Sequence, residues 1–233
     1  MILSNHGRSL HLRQTSPEDA PLLQRAYEDD AFISLYRSNH AKQTEEQLRQ
    51  TLAKRKQHAA TQIGYLEFML EHQQHGPIGV AALGDYSPLH QRAEYLVGLF
   101  EEQHRYAGNG IEATLLVLDL AFNSYHLNKV YSYVYEYNDF SHKNMLNLGF
   151  KHEGTLEQHH YSVRLDQFIT LYLNGMTVKQ FRENQKIQRL SLRLVGRDIT
   201  QAPQVFEISS ENKLPTEANQ QFLERLKLMS RST

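Results

Sequence analysis

Two glycines, Gly108 and Gly110, stand one residue apart in the segment HRYAGNGIEATLL, which leads into an apolar, helix-forming stretch. The start of a helix presents backbone N–H groups that have no intrahelical acceptor, and it carries a partial positive charge. Glycine lets a ligand approach that backbone closely, so the pattern suits an anion such as a phosphate. The alternative is a tight turn that needs glycine only for its backbone conformation.

Two familiar phosphate loops do not fit this segment. A Walker loop needs four residues between its glycines and then Gly-Lys-Ser/Thr, which are missing here. A dinucleotide fingerprint tolerates Ala113 in place of its third glycine, but that loop usually follows the first strand of a parallel sheet. Here the loop lies beyond residue 100, after three runs typical of an antiparallel meander. A dinucleotide site is therefore not expected.

The glycine turn joins a predicted strand to a helix that leads to another strand. This order is a crossover connection, and it implies that the two strands are parallel. Periods of two and of 3.6 residues place the other elements around this unit. In chain order they are a strand at 10–13, helices capped by Ser16 and by Thr44, three antiparallel strands between 64 and 100, the helix from the glycine turn to about His126, a strand at 129–137, a short helix ended by Gly149, and strands at 150–160 and 167–175. The predicted fold class is α/β (α+β), with a mixed central sheet flanked by helices.

The composition excludes several kinds of chemistry. The 233 residues include no cysteine, so disulfides, thiolate metal ligands and a cysteine nucleophile are excluded. The formal net charge is -1, which gives no sequence-wide field that would attract nucleic acid or an anionic membrane. No apolar run reaches about 18 residues, and the N-terminal run is too short for a secretory signal. We expect a soluble cytoplasmic protein without a nucleic-acid or membrane partner.

Two segments together resemble one family of enzymes. RYAGNG, residues 105–110, resembles the R/Q-x-x-G-x-G/A pyrophosphate loop of the GNAT acetyltransferases. YNDFSHKNMLNLGFKHEG resembles the second signature of the subgroup that contains the ribosomal-protein-alanine and spermidine acetyltransferases. Its marker residues here are Asn138, Ser141, Gly149, Phe150 and Gly154. The resemblance covers roughly residues 8–183, and it implies the GNAT fold and N-acetyl transfer from acetyl-CoA to a primary amine, which is a small amine, an amino sugar or a peptide N-terminus.

The resemblance also assigns parts of CoA to particular residues. The pyrophosphate would lie on the loop formed by Arg105, Tyr106, Ala107, Gly108, Asn109 and Gly110. The pantetheine arm would lie between two splayed strands, AEYLVGLF and KVYSYVY, and would accept or donate a hydrogen bond at Asn138. The chain departs from many members of the subgroup at Thr114, where they carry a glutamate near the start of the helix.

Transfer to an amine requires the neutral amine, although an alkyl amine is mostly protonated at pH 7. A general base that acts through water is therefore expected. Glu94 is the candidate, because it lies in an otherwise apolar strand before the loop and similar enzymes often carry a glutamate there. The alternative is that Glu94 only pairs with a neighbouring cation such as Arg92.

The departing CoA thiolate needs a proton or a hydrogen bond. Many members of the family use a tyrosine four residues before the glycine of the GF pair, but that position is Met145 here. Ser141 is the candidate substitute, and its alternative role is to cap the helix that ends at Gly149. Tyr137 is a weaker candidate for the same proton.

Two further patterns are open to a structural interpretation. Tyrosines at every second position either line an acceptor pocket or belong to the sheet core; they are Tyr131, Tyr133, Tyr135 and Tyr137. The thirteen histidines include an HxxH pair, His72 and His75, and the neighbours His159 and His160. These pairs lie in strand or loop context without carboxylates that would orient them as ligands, so no metal site is predicted.

Residues 184–233 form a predicted extension of the GNAT domain at 1–183. LSLRLVGRDI, residues 190–199, is compatible with a strand, and PTEANQQFLERLKLM, residues 215–229, predicts an amphipathic helix. This helix packs on its own domain or on a second subunit, which leaves a monomer or a homodimer open. All residues assigned to CoA precede residue 145, so deletion of 184–233 is expected to leave acetyl-CoA binding intact. The alternative function is a noncatalytic acyl-CoA-binding or interaction module with the same fold.

Overall fold

Eight strands form one mixed sheet among the residues that the computed structural model describes, which are 4–36, 42–58, 62, 64–105 and 108–202. The strands are β1 (Asn5–His6), β2 (Leu10–Gln14), β3 (Leu66–His72), β4 (Gly76–Ser87), β5 (Arg92–Leu99), β6 (Lys129–Tyr135), β7 (Lys151–Ser162) and β8 (Gln167–Thr177). The helices are α1 (Ala20–Glu28), α2 (Asp30–Tyr36), α3 (Glu45–Gln57), α4 (Glu102–Arg105), α5 (Asn109–Asp119), α6 (Asp139–Leu148), α7 (Val178–Arg182) and α8 (Gln185–Leu194). None of these helices is long and apolar enough to cross a membrane.

The predicted meander and the predicted start of α3 are confirmed, whereas Ser16 caps a 3-10 turn at Pro17–Asp19 that leads into α1. The sheet order is β1-β2-β3-β4-β5-β6-β8-β7, and β3, β4 and β5 pair antiparallel in sequence. At the start of α3, Thr44 Oγ1 accepts the Gln47 N–H and the Gln47 side chain accepts the Thr44 N–H. This reciprocal capping satisfies two backbone donors that the helix itself cannot.

Strands β5 and β6 form the predicted parallel pair, but over three residues only. The pairs are Arg92 with Lys129, Ala93 with Val130, and Glu94 with Tyr131. β5 continues to Leu99, and in the described sheet its later residues have no partner on β6. The two strands therefore part after Glu94, and the backbone groups along the resulting gap are open to a ligand.

Helices cover the two faces of the sheet. On one face α5 buries Ala113, Leu116 and Val117 in a core that also includes side chains of most strands. On the other face α1, α2 and α3 bury a second cluster that includes Leu23 and Leu52. β5 lies between the two clusters, so its two faces meet different sets of helices.

The interpretation of residues 190–199 as a strand is wrong, because α8 occupies Gln185–Leu194. Ile187 and Ser191 are fully buried four residues apart, which is the helical period, whereas Leu192 is 49% exposed. The alternating leucines in LSLRLV therefore show the pattern of a strand although the segment is helical. Ile187 belongs to the same core as α5. The helix predicted at 215–229 lies outside the described residues, and the division at residue 183 stays a prediction.

Candidate active site

The glycine turn forms the N-terminus of α5. Gly108 caps the helix with φ 80°, in the left-handed region that favours glycine. Its carbonyl accepts the N–H groups of Ile111 at 3.0 Å and of Glu112 at 3.1 Å. The N–H groups of Asn109 and Gly110 come before these and have no acceptor within the helix. They are therefore available to an anion.

Gly110 has no conformational need to be glycine. Its φ is not positive, and a methyl group at its Cβ position would meet only Leu99 Cδ1, at 4.0 Å. Glycine within a helix costs about 1 kcal/mol relative to alanine. The tight-turn alternative therefore explains Gly108 alone, whereas a ligand that approaches the backbone explains both glycines.

Arg105 and Asn109 are the other loop residues that the structure describes. Arg105 ends α4, is half-buried, and belongs to none of the ion pairs among the described residues. Asn109 is buried, and its Nδ2 donates to the His104 carbonyl at 3.2 Å, which fixes α4 against the loop. Tyr106 and Ala107 lie outside the described residues.

A cavity of about 590 Å³ runs from the glycine turn into the gap where β5 and β6 part. Its walls come from β5, α5 and α6, with additions from α2 and α8. Its charged lining residues within the described chain are Arg105 and Lys186, and both are cations. Open backbone groups in the gap suit a ligand with amides, and the cations suit phosphates. The wall therefore fits CoA, which carries both.

Asn138 and Ser141 lie together at the start of α6, and both line the cavity. Asn138 caps the helix, because its Oδ1 accepts the Ser141 N–H at 3.2 Å. The alternative that Ser141 is the cap is therefore wrong. Capping uses the Asn138 oxygen and leaves its Nδ2 as a donor, and the Ser141 hydroxyl makes no hydrogen bond to a described residue. Both groups are available to a ligand in the cavity.

Glu94 occupies the last paired position between β5 and β6. It is half-buried next to Tyr131, and because side chains alternate along a strand it lies on the opposite face of β5 from Tyr95. Burial and a hydrogen bond to Asp85 raise the pKa of Tyr131, and the Glu94 carboxylate adds to that rise. Arg92 contacts Asp85 at 2.5 Å and the Tyr131 hydroxyl at 2.8 Å. Glu94 itself does not line the cavity, and its catalytic role stays a prediction.

Helix α2, which the sequence analysis did not predict, covers the gap on the Glu94 face. Phe32 and Tyr36 pack on Gly98 of β5, where a Cβ would lie 2.6 Å from a Phe32 ring carbon and 2.9 Å from a Tyr36 ring carbon. Gly98 is therefore required by the close approach of α2. A local signal for this helix was present, because Asp29 Oδ1 accepts the Ala31 N–H at 2.9 Å.

Tyr95 and Thr114 connect β5 to α5 within the cavity, and neither was predicted to do so. The Thr114 hydroxyl donates to the Gly110 carbonyl at 2.6 Å, so it accepts from the Tyr95 hydroxyl at 2.7 Å. Burial raises the pKa of Tyr95, which keeps it a neutral donor. The pair fixes the first turn of α5 against the strand that borders the gap.

The tyrosine candidates differ in their surroundings. Tyr131 is buried, whereas Tyr133 on the same face of β6 is 39% exposed, so the stripe is not uniformly core. Tyr137 stacks on Tyr135 with ring centroids 5.3 Å apart and donates to the Ser34 carbonyl of α2. Burial raises the pKa of Tyr137 to about 12, and the residue does not line the cavity. The acceptor-pocket role of the stripe stays a prediction.

Met145 and the histidines complete the predicted residues. Met145 is buried and gives the cavity an apolar wall at the position where the family resemblance implied a tyrosine. His72 and His75 stack with ring centroids 4.6 Å apart. Within the described ranges, no group of three or more histidine or acidic side chains is arranged to hold a metal ion.

Besides Tyr95 and Thr114, cavity residues on two helices were missed because their positions depend on tertiary contacts. The first helix is α2, and the second is α8, with Lys186 and Leu190. The Asn184 cap and the spacing of Ile187, Leu190 and Leu194 would have indicated α8 as a helix. They would not have shown that it reaches the cavity.

Comparison with known families gives one match. Residues 9–151, more than half of the chain, match the model of the family described as acetyltransferase (GNAT) domain. No curated protein matches the chain.

Several solved structures share the fold. Spermidine N-acetyltransferase from Vibrio cholerae, solved with CoA and spermine, superposes with a TM-score of 0.65 at 19% identity, over 72% of this chain and 95% of that one. Ribosomal-protein-S5-alanine acetyltransferase from Vibrio fischeri has a TM-score of 0.65 at 16% identity, over 75% and 96% of the two chains. A putative acetyltransferase has a TM-score of 0.66 at 20% identity, over 83% and 94%. At these identities the likeness shows the fold.

Proposed function

The chain belongs to the acetyltransferase (GNAT) domain family and is an acetyl-CoA-dependent N-acetyltransferase, and we propose that it acetylates a primary amine by direct attack at the gap between β5 and β6. The noncatalytic binding module is not favoured, because the matching family and the solved neighbours are acetyltransferases.

The observation that carries the proposal is the position of the gap. β5 and β6 part after Glu94, and the cavity they open ends at the free N–H groups of α5. A pyrophosphate held at the glycine turn therefore leaves the rest of a CoA molecule a path between the strands. Acetyl-CoA supplies an activated acetyl group as a thioester.

In this proposal each loop residue has a defined task. The N–H groups of Asn109 and Gly110 bind the pyrophosphate, and Arg105 adds a positive charge. Gly108 caps the helix at this loop, to which the sequence also assigns Tyr106 and Ala107. Asn138 donates from Nδ2 to the pantetheine arm while its oxygen holds the start of α6.

Two side chains handle protons. Glu94 accepts a proton from the amine, through water, because it lies at the inner end of the gap on the face that α2 covers. Ser141 donates a hydrogen bond to the departing thiolate, because its hydroxyl lines the cavity and has no partner among the described residues. The amine nitrogen forms the new bond to the acetyl carbon, and the bond from that carbon to sulfur breaks.

The acceptor is a small amine, an amino sugar or a peptide N-terminus. The neighbours named for spermidine and for ribosomal protein S5 alanine represent the first and the third of these classes. A cytoplasmic location stays a prediction, as does a monomeric or homodimeric state; the Vibrio cholerae spermidine enzyme is described as dodecameric.

A panel of acceptors tests the proposal. Free CoA thiol is measured as it forms from acetyl-CoA with spermidine, with glucosamine and with a peptide that begins with alanine. The proposal predicts that at least one class of amine increases CoA release, and that the values of kcat/KM differ among the three acceptors. CoA release that is equal with and without every amine would contradict it.

A further inference from the structure

The extension contributes directly to the cavity. Lys186 and Leu190 lie one turn apart on α8 and line the same cavity as the glycine turn. Asn144 and Asn147 of α6 line the same cavity. Lys186 and Leu190 are far from the glycine turn in sequence. The family match ends at residue 151, so it includes α6 but not α8.

A joint between two helices fixes the start of α8. Asn184 Nδ2 donates to the Leu148 carbonyl at the end of α6 at 2.8 Å, and its Oδ1 accepts the N–H groups of Lys186 and Ile187 at 3.0 Å. Gly149 has φ 109°, in the left-handed region that favours glycine, and a Cβ there would lie 2.2 Å from Asn184 Nδ2 and displace this side chain. One side chain thus closes one helix and starts the next, and the backbone of Lys186 is held in place relative to α6.

Lys186 has no acidic partner among the described residues. It belongs to none of the ion pairs among the described residues, although other cations such as Arg13 and Arg55 do. Ile187, the next residue, is fully buried, so the helix is anchored while Lys186 remains exposed at the cavity. A cation on a fixed backbone suits an anionic ligand at a cavity wall whose described residues include no carboxylate.

The chemistry of CoA indicates which anion this is. CoA carries negative charge on its pyrophosphate and on the 3′-phosphate of its ribose. The pyrophosphate is assigned to the glycine turn, and the thiol end points into the gap between β5 and β6. The adenosine end is the part of CoA that remains. Asn144 and Asn147 of α6, with Lys186 and Leu190 of α8, form a wall of the cavity that these assignments do not use.

We infer that Lys186 binds the 3′-phosphate of CoA, so that the extension completes the nucleotide part of the site. The inference rests on the proposed placement of CoA, and it deepens that placement. It also gives α8 a role that the stability of the core alone would not require.

Equilibrium binding tests the inference without turnover. Isothermal titration calorimetry compares CoA with 3′-dephospho-CoA for the full chain and for Lys186→Met, Lys186→Arg and Lys179→Met. Lys179 is an exposed lysine on α7 that does not line the cavity, so its substitution makes the same change in net charge elsewhere.

We expect Lys186→Met to weaken CoA binding by about 10-fold and to leave dephospho-CoA binding nearly unchanged, because a charge-assisted contact is lost. Lys186→Arg should restore most of the preference for CoA, and Lys179→Met should keep it. Loss of both ligands to the same extent would place Lys186 on the pyrophosphate and overturn the inference, and so would no loss of either. A wild-type chain that binds neither ligand would contradict the placement of CoA itself.

Discussion

The hydroxyl of Tyr137 donates a hydrogen bond to the carbonyl of Ser34 at 2.7 Å. Tyr137 follows β6, and Ser34 belongs to α2, which also packs on Gly98 of β5. Helix α2 is therefore fixed to both sides of the gap between the parted strands. An acceptor amine that enters from this face must pass α2, so the bond between these two residues bears on acceptor access.

Tyr137→Phe is expected to act on acceptor binding. The lost hydrogen bond should lower the free energy of unfolding by about 1 kcal/mol and raise the acceptor KM several-fold, with CoA affinity unchanged. Because burial raises the pKa of Tyr137 to about 12, the residue is neutral across the assay range, and the pH profile of kcat between pH 7 and about 9 should keep its shape. Steady-state kinetics measure both effects. A large fall in kcat at unchanged KM would instead make Tyr137 the acid.

Glu94→Gln is expected to impair the chemical step. Turnover near pH 7 should fall by roughly 100-fold, with acetyl-CoA affinity intact, and should recover in part at higher pH as the neutral amine becomes abundant. Glu157→Gln, at an exposed position on β7, is the matched control and should leave the rate unchanged. A near-wild-type rate at all pH values would remove Glu94 from the mechanism.

Gly110→Ala separates folding from ligand binding. The Cβ position is open and φ is not positive, so the variant should fold with equal or greater stability, by up to about 1 kcal/mol. CoA affinity should nevertheless fall, and Gly110→Asp should abolish it, because a carboxylate would stand where the pyrophosphate approaches. Thermal unfolding and calorimetry give the two quantities. Unchanged CoA affinity in a folded Gly110→Asp protein would refute the assignment of the loop.

The extension is expected to contribute to both stability and binding. Ile187→Ala should lower the free energy of unfolding by about 2 to 4 kcal/mol, because Ile187 is fully buried in the main core. Leu192→Ala, on the exposed face of the same helix, should change it by less than about 0.5 kcal/mol. Equal effects in denaturant unfolding would mean that α8 is not part of the core.

The structure changes the result that we expect from deletion of residues 184–233. The sequence alone predicted intact acetyl-CoA binding, because every residue assigned to CoA precedes residue 145. The structure puts Lys186 and Leu190 in the cavity wall, so the truncated chain should bind CoA more weakly as well as being less stable. Calorimetry on a truncated chain whose folding is verified by circular dichroism measures this.

The predictable parts of the molecule are those with local signals. The Thr44 capping box, the meander and the crossover at the glycine turn all follow from short patterns, and each is confirmed. α2 has only seven residues, and its position depends on Gly98, which is distant in sequence. α8 was misread because the leucines at 190, 192 and 194 alternate with the period of a strand. The same segment, taken with Ile187, also fits the period of a helix.

In the candidate site too, the residues with local sequence signals were predictable and those placed by tertiary contacts were not. The loop and Asn138 lie in segments that the sequence identifies. Arg105, Gly108 and Gly110 line one cavity together with Asn138. Asn109 does not line it, because its side chain donates to the His104 carbonyl. Lys186 could not be predicted, because tertiary contacts such as the Asn184 bond to the Leu148 carbonyl bring the extension to the cavity. Thr114 was noted as a departure from related sequences, but its bond to Tyr95 needed the structure.

Direct acetyl transfer is the central claim, and mass spectrometry of both amine and protein tests it most directly. The chain is incubated with acetyl-CoA, with and without an accepted amine. We predict that with amine each CoA released corresponds to one acetylated amine, and that without amine the protein stays unmodified and releases no CoA. A chain that binds acetyl-CoA but acetylates no amine in the panel would contradict the claim, and a chain that carries the acetyl group itself would contradict direct attack.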